Sequence, residues 1–264
     1  MSGNALWLEK DYGTSMFLAA NETLRNLPIN DNESFELEYD VYVENYEATK
    51  KWQPLHMISV AINTSTSGTN GQVSSTQSYS IALTADGSLD VYSNLGYPQS
   101  SSITKTDNFS KYESSDAWIG EEHRVKIEIN KINSTNFEAK YYVDGDLIGI
   151  WNTSMINDKN WQNLSFDKVC ANLGFTFGCN SPNTTFKMAI DNLRIKLPNG
   201  TVMEEDFEDN DWNRIFGYCP PINEKRKYRI DPAPNQPVKT PIPISVLVLT
   251  LTIIPIVLLR NKKS

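Results

Sequence analysis

The sequence has few of the residues on which catalytic and metal sites most often depend. It contains two histidines and three cysteines among 264 residues. Three cysteines are too few for a disulfide scaffold, and they lack the paired spacing of a zinc site. Neither His56 nor His123 lies near a motif for a nucleophilic serine or cysteine. We therefore interpret both as packed or surface residues and not as catalytic bases.

Positive charge is also scarce. The 24 lysines and arginines are outnumbered by 32 aspartates and glutamates, and the formal net charge is -8. Nucleic-acid binding depends on a basic surface that neutralises phosphates. The composition therefore excludes nucleic acid as an expected partner.

Helical periodicity is absent outside the C-terminal tail. Aromatic and β-branched residues alternate with polar ones instead, most clearly from Phe35 to Val43, as in a half-buried strand. Asp-Gly pairs between alternating runs predict hairpins at residues 79–93 and 137–151. About a dozen strands joined by turns predict an all-β sandwich or jelly roll.

A late strand is predicted at residues 186–197. Its alternation of apolar and polar residues is imperfect around Asp191 and Asn192. An acidic run then follows, and after it the aromatic residues Trp212 and Phe216 are expected to pack back on the sandwich. The domain is therefore expected to end near Pro221.

The one long apolar run lies near the C-terminus. Residues 242–259 carry no charge, and a basic end follows them. As an α-helix this run would rise about 27 Å, close to the hydrocarbon thickness of a bilayer. We therefore expect an ectodomain over residues 1–221, a basic, proline-rich stalk over 222–241, a transmembrane helix over 242–259 and a cytoplasmic end over 260–264.

The cysteines suggest at most one disulfide. Cys170 and Cys179 flank a strand-like run, and a bridge between them requires that run to bend back at Gly174 or Gly178. Cys219 is either free or the alternative bridging residue.

The order of these segments resembles the concanavalin A-like lectin/glucanase superfamily, and laminin-G-like surface modules in particular. The resemblance implies a jelly roll of two curved antiparallel sheets, whose concave face often binds glycans. The stretches that carry it are residues 34–43, the hairpin 79–93, residues 118–129 leading into 141–151, and the closing run 189–192.

The tail resembles the tripartite C-terminal signals processed by archaeal sortases. It combines a short proline motif at residues 241–243 with the apolar span and the basic end. The resemblance implies an archaeal surface protein whose tail is cleaved. A plain transmembrane anchor is the alternative.

Glu204, Asp206 and Glu208 are the candidate catalytic residues of an alternative hypothesis. Their spacing resembles the Glu-x-Asp-x-Glu motif of family 16 glucanases, in which a strand places three carboxylates on the cleft face. Glu205, however, stands where that family has an aliphatic residue directed into the core. We therefore expect a protein that is not an enzyme, with glycoside hydrolysis as the alternative.

The candidate ligands are sugars and calcium. Jelly rolls stack sugar rings on exposed aromatic residues, although a tryptophan in an all-β protein is more often structural. No cofactor is predicted, but Asp206, Asp209 and Asp211 are calcium candidates, since hard oxygen ligands at close spacing suit that ion. The candidate sugar-stacking residues are Trp118, Trp151, Trp161 and Trp212.

Asn-x-Ser/Thr sequons are more frequent than chance, which indicates a glycosylated exterior protein. We therefore expect a single-pass cell-membrane protein with its domain outside, which binds glycan or another surface component. A structural envelope glycoprotein is a third hypothesis. The sequons begin at Asn21, Asn32, Asn63, Asn108, Asn133, Asn152, Asn163, Asn183 and Asn199.

Overall fold

The computed structural model describes residues 1–14, 16–21, 24, 27–48, 56–67, 73–84, 89–93, 103–133, 136–152, 169–179, 183–209, 211–218 and 221–234. These residues include two short 3₁₀ helices, Asp107–Lys111 and Ser115–Ala117. The strands, in chain order, are β1 (Asn4–Lys10), β2 (Met16–Ala20), β3 (Leu27–Pro28), β4 (Ser34–Ala48), β5 (His56–Ser67), β6 (Val73–Thr84), β7 (Leu89–Ser93), β8 (Ile103–Lys105), β9 (Glu122–Asn133), β10 (Asn136–Val143), β11 (Asp146–Asn152), β12 (Val169–Cys179), β13 (Thr184–Lys196), β14 (Val202–Glu205), β15 (Phe216–Tyr218) and β16 (Arg226–Pro232).

The first sheet has nine antiparallel strands in the order β16-β1-β13-β4-β9-β10-β11-β8, and β14 pairs with the end of β13. The long strand β4 lies near its centre, between β13 and β9. The predicted hairpin at residues 137–151 is confirmed as β10 and β11. Its turn residues, Asp144 and Gly145, have φ of 52° and 85°, the positive values that a tight two-residue hairpin turn requires.

The second sheet has seven strands in the order β15-β2-β12-β5-β6-β7, and β3 pairs with β12. The predicted hairpin at residues 79–93 is confirmed as the antiparallel pair β6 and β7, in which Tyr79 is opposite Ser93 and Leu83 is opposite Leu89. In both sheets the hairpin strands lie toward one end of the order, and most of the other neighbouring strands are distant in sequence.

The two sheets share one hydrophobic core. The apolar face of β4, which includes Phe35, Leu37 and Tyr39, is fully buried, as its alternation predicts. Met16 and Leu18 of the second sheet belong to the same cluster. The described part of the chain is therefore an all-β sandwich of two antiparallel sheets, and that part of the fold prediction is confirmed.

The domain extends beyond the predicted boundary at residue 221, so that boundary is wrong. Strand β16 pairs along the whole of β1, and the compact unit ends at Pro234. The strand belongs to the sandwich because Tyr228 and Ile230, which alternate with its basic residues, pack on the core. The first part of the predicted stalk is therefore a sheet strand.

Residues 235–264 lie outside the described residues, and with them the rest of the predicted stalk, the predicted transmembrane helix, the sortase-like motif and the basic end. Among the residues that are described, no helix combines the length and the apolar character needed to cross a membrane.

The expected disulfide between Cys170 and Cys179 is wrong. Both residues belong to one strand, β12, so their Cα atoms lie about 30 Å apart at about 3.3 Å per residue. A disulfide requires Cα atoms within about 7 Å. The strand does not bend back, because Gly174 and Gly178 both remain paired with β5. Cys219 lies outside the described residues.

Candidate functional site

A β-bulge in β13 lies at the centre of the candidate site. The pairing of β13 with β4 shifts between Asp191 and Arg194, so that two residues, Asn192 and Leu193, stand opposite Tyr39. Asn192 has φ of 49°, a left-handed conformation that asparagine tolerates better than most residues do. On the side of β13 away from β4, the paired strand is β1 before the bulge and β14 after it. The bulge therefore coincides with a change of neighbouring strand.

Arg124 of β9 is held beside the bulge by three acceptors. Its Nε donates to Glu38 Oε1 at 3.0 Å, and its Nη1 donates to Asp40 Oδ1 at 2.9 Å and to the Asn192 carbonyl at 3.3 Å. Partial burial opposes the charge, but the bonds to Asp40 and Glu38 outweigh it and raise the pKa of Arg124. The guanidinium is therefore cationic and fixed in orientation.

Asp191 is a buried carboxylate next to the bulge. It is 1% exposed, and it accepts the backbone N–H of Asn192 at 2.7 Å and that of Ser2. Burial raises the pKa of Asp191 to about 6, and the charge of Asp40 adds to the rise, while the two N–H bonds limit it. Asp191 therefore changes its charge near neutral pH.

Glu205 and Arg214 form the opposite wall. Glu205 points into the core, where its Oε1 accepts the Phe207 N–H at 2.9 Å and its Oε2 accepts Nε of Arg214 at 2.7 Å. Nη2 of Arg214 also donates to the Glu204 carbonyl at 3.1 Å. The arginine therefore compensates a buried charge and is itself oriented by it.

Glu204 and Arg194 are held much less firmly. Nε of Arg194 lies 3.5 Å from Glu204 Oε1, and the Glu204 side chain is 73% exposed. An exposed ion pair of this kind contributes little to stability. Both side chains therefore keep freedom to exchange partners.

Among these residues lies a pocket of about 430 Å³ that is open to solvent, which we name the arginine pocket. Its volume falls within the range of small-ligand sites, and its walls carry three guanidinium groups together with carboxylate and amide groups. The lining residues are Arg124, Asn192, Leu193, Arg194, Glu204, Glu205, Asp206 and Arg214.

The three carboxylates of the glucanase-like motif are not brought together. Glu204 and Asp206 line the arginine pocket, but Glu208 accepts the backbone N–H of Asn4 at 2.7 Å and its side-chain amide at 3.3 Å. The cause is local: β14 ends at Glu205, and φ of Phe207 is 58°. The expected regular strand therefore does not continue through the motif.

None of the aromatic candidates that the structure describes lines the arginine pocket. Trp118 and Trp151 are fully buried in the core, so they cannot stack on a sugar, and this correction follows from their inward positions in the sandwich. Trp212 is half-buried and packs on Phe216 and Tyr228, with ring centroids 6.3 and 4.9 Å apart. Trp161 lies outside the described residues.

The calcium candidates shape a loop instead of gathering around an ion. One oxygen each of Asp206, Asp209 and Asp211 accepts the backbone N–H two residues further on, at 3.2, 2.9 and 3.3 Å. In the described ranges, no group of three or more acidic, histidine or cysteine side chains is placed to hold a metal ion.

His123 is a packed residue, in agreement with its interpretation from the sequence. Its Nδ1 lies 2.8 Å from Asp144 Oδ2, and its Nε2 lies 2.7 Å from the Ala117 carbonyl. Its ring also packs on Tyr112 and Trp118. Both nitrogens are engaged in holding the turn of β10 and β11 against the second 3₁₀ helix. His56 lies in β5, in a part of the sheet where only the backbone is described.

The sequon asparagines differ in accessibility. Asn21 is engaged internally: its Oδ1 accepts the Leu24 N–H at 3.0 Å, and its side-chain amide donates to the Arg214 carbonyl. A glycan on Asn21 would be attached to the same nitrogen that makes this bond. Asn63 lies in β5, and Asn163 is outside the described residues. The exposed sequon asparagines are Asn32, Asn133, Asn183 and Asn199, and the half-buried ones besides Asn21 are Asn108 and Asn152.

Sequence reasoning missed the residues that dominate the pocket. Arg124, Arg194 and Arg214 come from three separate segments, and none of them belongs to a recognisable motif. The one usable signal was the imperfect alternation around Asp191 and Asn192. Such an interruption indicates a bulge, and bulges often lie beside functional sites.

Neither a protein-family model nor a curated protein matches the sequence. Among solved structures, the chain is similar to an endo-beta-1,4-glucuronan lyase from the fungus Trichoderma reesei, with 11% identity over 72% of this chain and 80% of that chain and a TM-score of 0.36. It is also similar to a SAP-like pentraxin from Limulus polyphemus, with 10% identity over 72% and 75% and a TM-score of 0.32. A third is the Emp46p carbohydrate recognition domain, with 11% identity over 70% and 87% and a TM-score of 0.27.

One expectation is corrected by this comparison. The sequence led us to expect a protein that is not an enzyme, whereas the first of these three structures is a lyase. A β-sandwich of this general kind therefore does not imply the absence of enzymatic activity, and that expectation is withdrawn.

We predict that Arg214→Ala lowers the free energy of unfolding by about 2 to 4 kcal/mol, because it leaves the buried carboxylate of Glu205 uncompensated. Urea denaturation followed by tryptophan fluorescence measures the change. Arg194→Ala is the matched control, since its partner Glu204 is 73% exposed, and it should cost less than about 1 kcal/mol. Equal losses in the two variants would contradict the structural role of the Glu205–Arg214 pair.

We predict that Asp191→Asn gains stability relative to the parent protein as the pH rises. The folded-state pKa of about 6 exceeds the ordinary value of 3.8, so the native protein favours the protonated form. Protonation of Asp191 therefore stabilises the folded protein fully below about pH 4, and this stabilisation is lost as the pH rises through 6. The difference in unfolding free energy between variant and parent should grow by roughly 2 to 3 kcal/mol between pH 4 and 7.

Denaturation at stepped pH measures this difference. Glu33→Gln is the control in which the pH dependence has the opposite sign. Hydrogen bonds from the backbone and side chain of Asn30 lower the pKa of Glu33, so the stability that the ionised Glu33 contributes is lost as the pH falls. A difference between Asp191→Asn and parent that does not change with pH would show that Asp191 is not a buried titrating group.

Proposed function

We propose that this protein is a cell-surface protein whose β-sandwich recognises glycans at the arginine pocket. The observation that carries the proposal is the density of planar polar side chains in one concave site, where Arg124, Asn192 and Arg214 are all held by recorded hydrogen bonds. A sugar hydroxyl both donates and accepts hydrogen bonds, so neighbouring guanidinium, amide and carboxylate groups suit it well.

Pre-organisation supports the same function. Arg124 is fixed by Glu38 and Asp40, and Arg214 is fixed by Glu205. A ligand that meets side chains already in position loses less conformational entropy on binding.

The proposal includes two features expected from the sequence. The sandwich is assigned to the concanavalin A-like jelly rolls that the sequence resembles, and residues 242–259 are assigned as the anchor that presents it outside the cell. Two of the similar structures carry compatible names, a glucuronan lyase and a carbohydrate recognition domain, but the proposal rests on the arginine pocket.

Cleavage of the bound glycan is a second candidate function. Two carboxylates, Glu204 and Asp206, line the same pocket, and the acid-base chemistry of glycan cleavage is commonly carried out by such groups. Glu204 is 73% exposed and so has room to approach a ligand. Binding and cleavage would therefore share one site.

We predict that the full-length protein, purified in mild detergent, binds members of a glycan array that includes neutral and acidic oligosaccharides. Arg124→Ala should reduce that binding at least about tenfold, since a hydrogen bond to a charged group is worth about 1.5 to 3 kcal/mol. Lys140→Ala, on the same face of the sheet but outside the pocket, should bind as the parent protein does. Release of new reducing ends from a bound glycan would assign cleavage as well.

The array result decides the proposal. Binding to no glycan, by a protein whose fluorescence shows native burial of its tryptophans, would refute glycan recognition. Binding that survives Arg124→Ala unchanged would move the site away from the arginine pocket.

For the anchor, we predict that the full chain stays in the membrane pellet during alkaline carbonate extraction, whereas a variant that ends at Pro234 is released. That variant keeps the whole compact unit and loses only the apolar tail. Immunoblots of pellet and supernatant measure the distribution. Complete extraction of the full chain would contradict the assignment of residues 242–259 as an anchor.

A further inference from the structure

We infer that the ligand of the arginine pocket is an acidic glycan, and that the guanidinium of Arg194 binds the carboxylate of a uronic acid residue. This inference rests on the proposed glycan recognition and names the class of sugar recognised. It follows from the way in which the three arginines of the pocket are occupied.

Each arginine retains N–H groups that are not engaged with another described residue. Within the part of the chain that the structure describes, Arg124 uses Nε and Nη1, and Arg214 uses Nε and Nη2. The contact of Arg194 with Glu204 involves Nε alone. A guanidinium has five N–H donors, so all three arginines keep donors for a ligand.

The charges of two arginines are already matched by fixed partners. Arg124 lies between Glu38 and Asp40, and Arg214 is paired with the buried Glu205. Arg194 differs, because its one carboxylate neighbour is 3.5 Å away and belongs to a side chain that is 73% exposed. Arg194 is therefore the cation whose partner a ligand carboxylate can replace.

A carboxylate suits Arg194 for geometric reasons. Guanidinium and carboxylate groups are both planar, and they form two parallel charge-assisted hydrogen bonds when they meet edge to edge. A neutral sugar offers no carboxylate and so cannot form this pair of charge-assisted bonds. The pocket therefore discriminates in favour of a charged sugar.

The remaining lining groups suit the hydroxyls of the same sugar. Glu204 and Asp206 present carboxylate oxygens, which accept hydrogen bonds from hydroxyl groups, and Asn192 also lines the pocket. A uronic acid residue carries both a carboxylate and several hydroxyls. It therefore uses the donors and the acceptors of the pocket together.

The experiment compares four probes by isothermal titration calorimetry on the full-length protein in detergent. The probes are oligoglucuronate, oligomannuronate, a neutral cello-oligosaccharide and a sulfated neutral oligosaccharide. We expect at least one uronate to bind about tenfold or more tightly than the other two classes, and its affinity to fall as salt is added.

Arg194→Gln is the decisive variant, because it keeps a planar hydrogen-bonding group and removes the charge. We expect it to lower uronate affinity about 10- to 100-fold and neutral-sugar affinity by a much smaller factor, because only the uronate supplies a carboxylate for the lost charge. Lys140→Gln is the matched control: it removes one positive charge from the same sheet face outside the pocket and should leave uronate affinity unchanged. Urea denaturation of both variants shows that each remains folded.

The outcomes separate this inference from the proposed function. Equal binding of neutral and uronate sugars, or uronate binding that survives Arg194→Gln, would overturn the inference and leave glycan recognition in place. Tighter binding of the sulfated sugar would overturn the assignment to a carboxylate. Binding of no probe and of no member of the array would overturn both.

Discussion

The arginine pocket depends on the extra residue in β13. In a regular ladder each step along the strand moves the side chain to the other face, so a single added residue changes every later position. Strand β4 keeps its alternation opposite the bulge, with Leu37, Tyr39 and Val41 all buried. Only β13 adjusts, and it does so by placing Asp191 and Asn192 on the same side before Leu193 returns to the core. The sheet thereby gains a polar site without losing its apolar face.

Two carboxylates are buried close to this site, and they differ in how their charge is stabilised. Glu205 keeps its charge compensated by a guanidinium that reaches it from the rim. Asp191 accepts two backbone N–H groups but pairs with no guanidinium among the described residues, and burial raises its pKa. The Glu205–Arg214 pair connects the wall of the pocket to the core, whereas the raised pKa of Asp191 makes the bulge sensitive to pH. Both follow from the high cost of an isolated buried charge.

Local patterns in the sequence predicted much of the sandwich, because alternation and Asp-Gly turns act over a few residues. They correctly indicated β4, both hairpins and the irregularity at Asp191 and Asn192. Contacts between distant segments were not predictable in this way: Arg124 and Asp40 are 84 positions apart. The same limit explains why the late strand β16 was assigned to a stalk, and why Glu205 seemed unsuited to the core before its partner Arg214 was known.

Strand β1 lies between β13 and β16, and both of its neighbours come from the last third of the described chain. During synthesis, β1 therefore emerges long before either neighbour and has no lasting partner in this sheet until almost the whole domain has been made. Folding of this sheet is governed by contacts of long sequence separation, which form slowly because the intervening chain must first be ordered. The edge hydrogen-bonding groups of β1 stay unprotected in the meantime, and in this period the chain is most exposed to pairing with other chains.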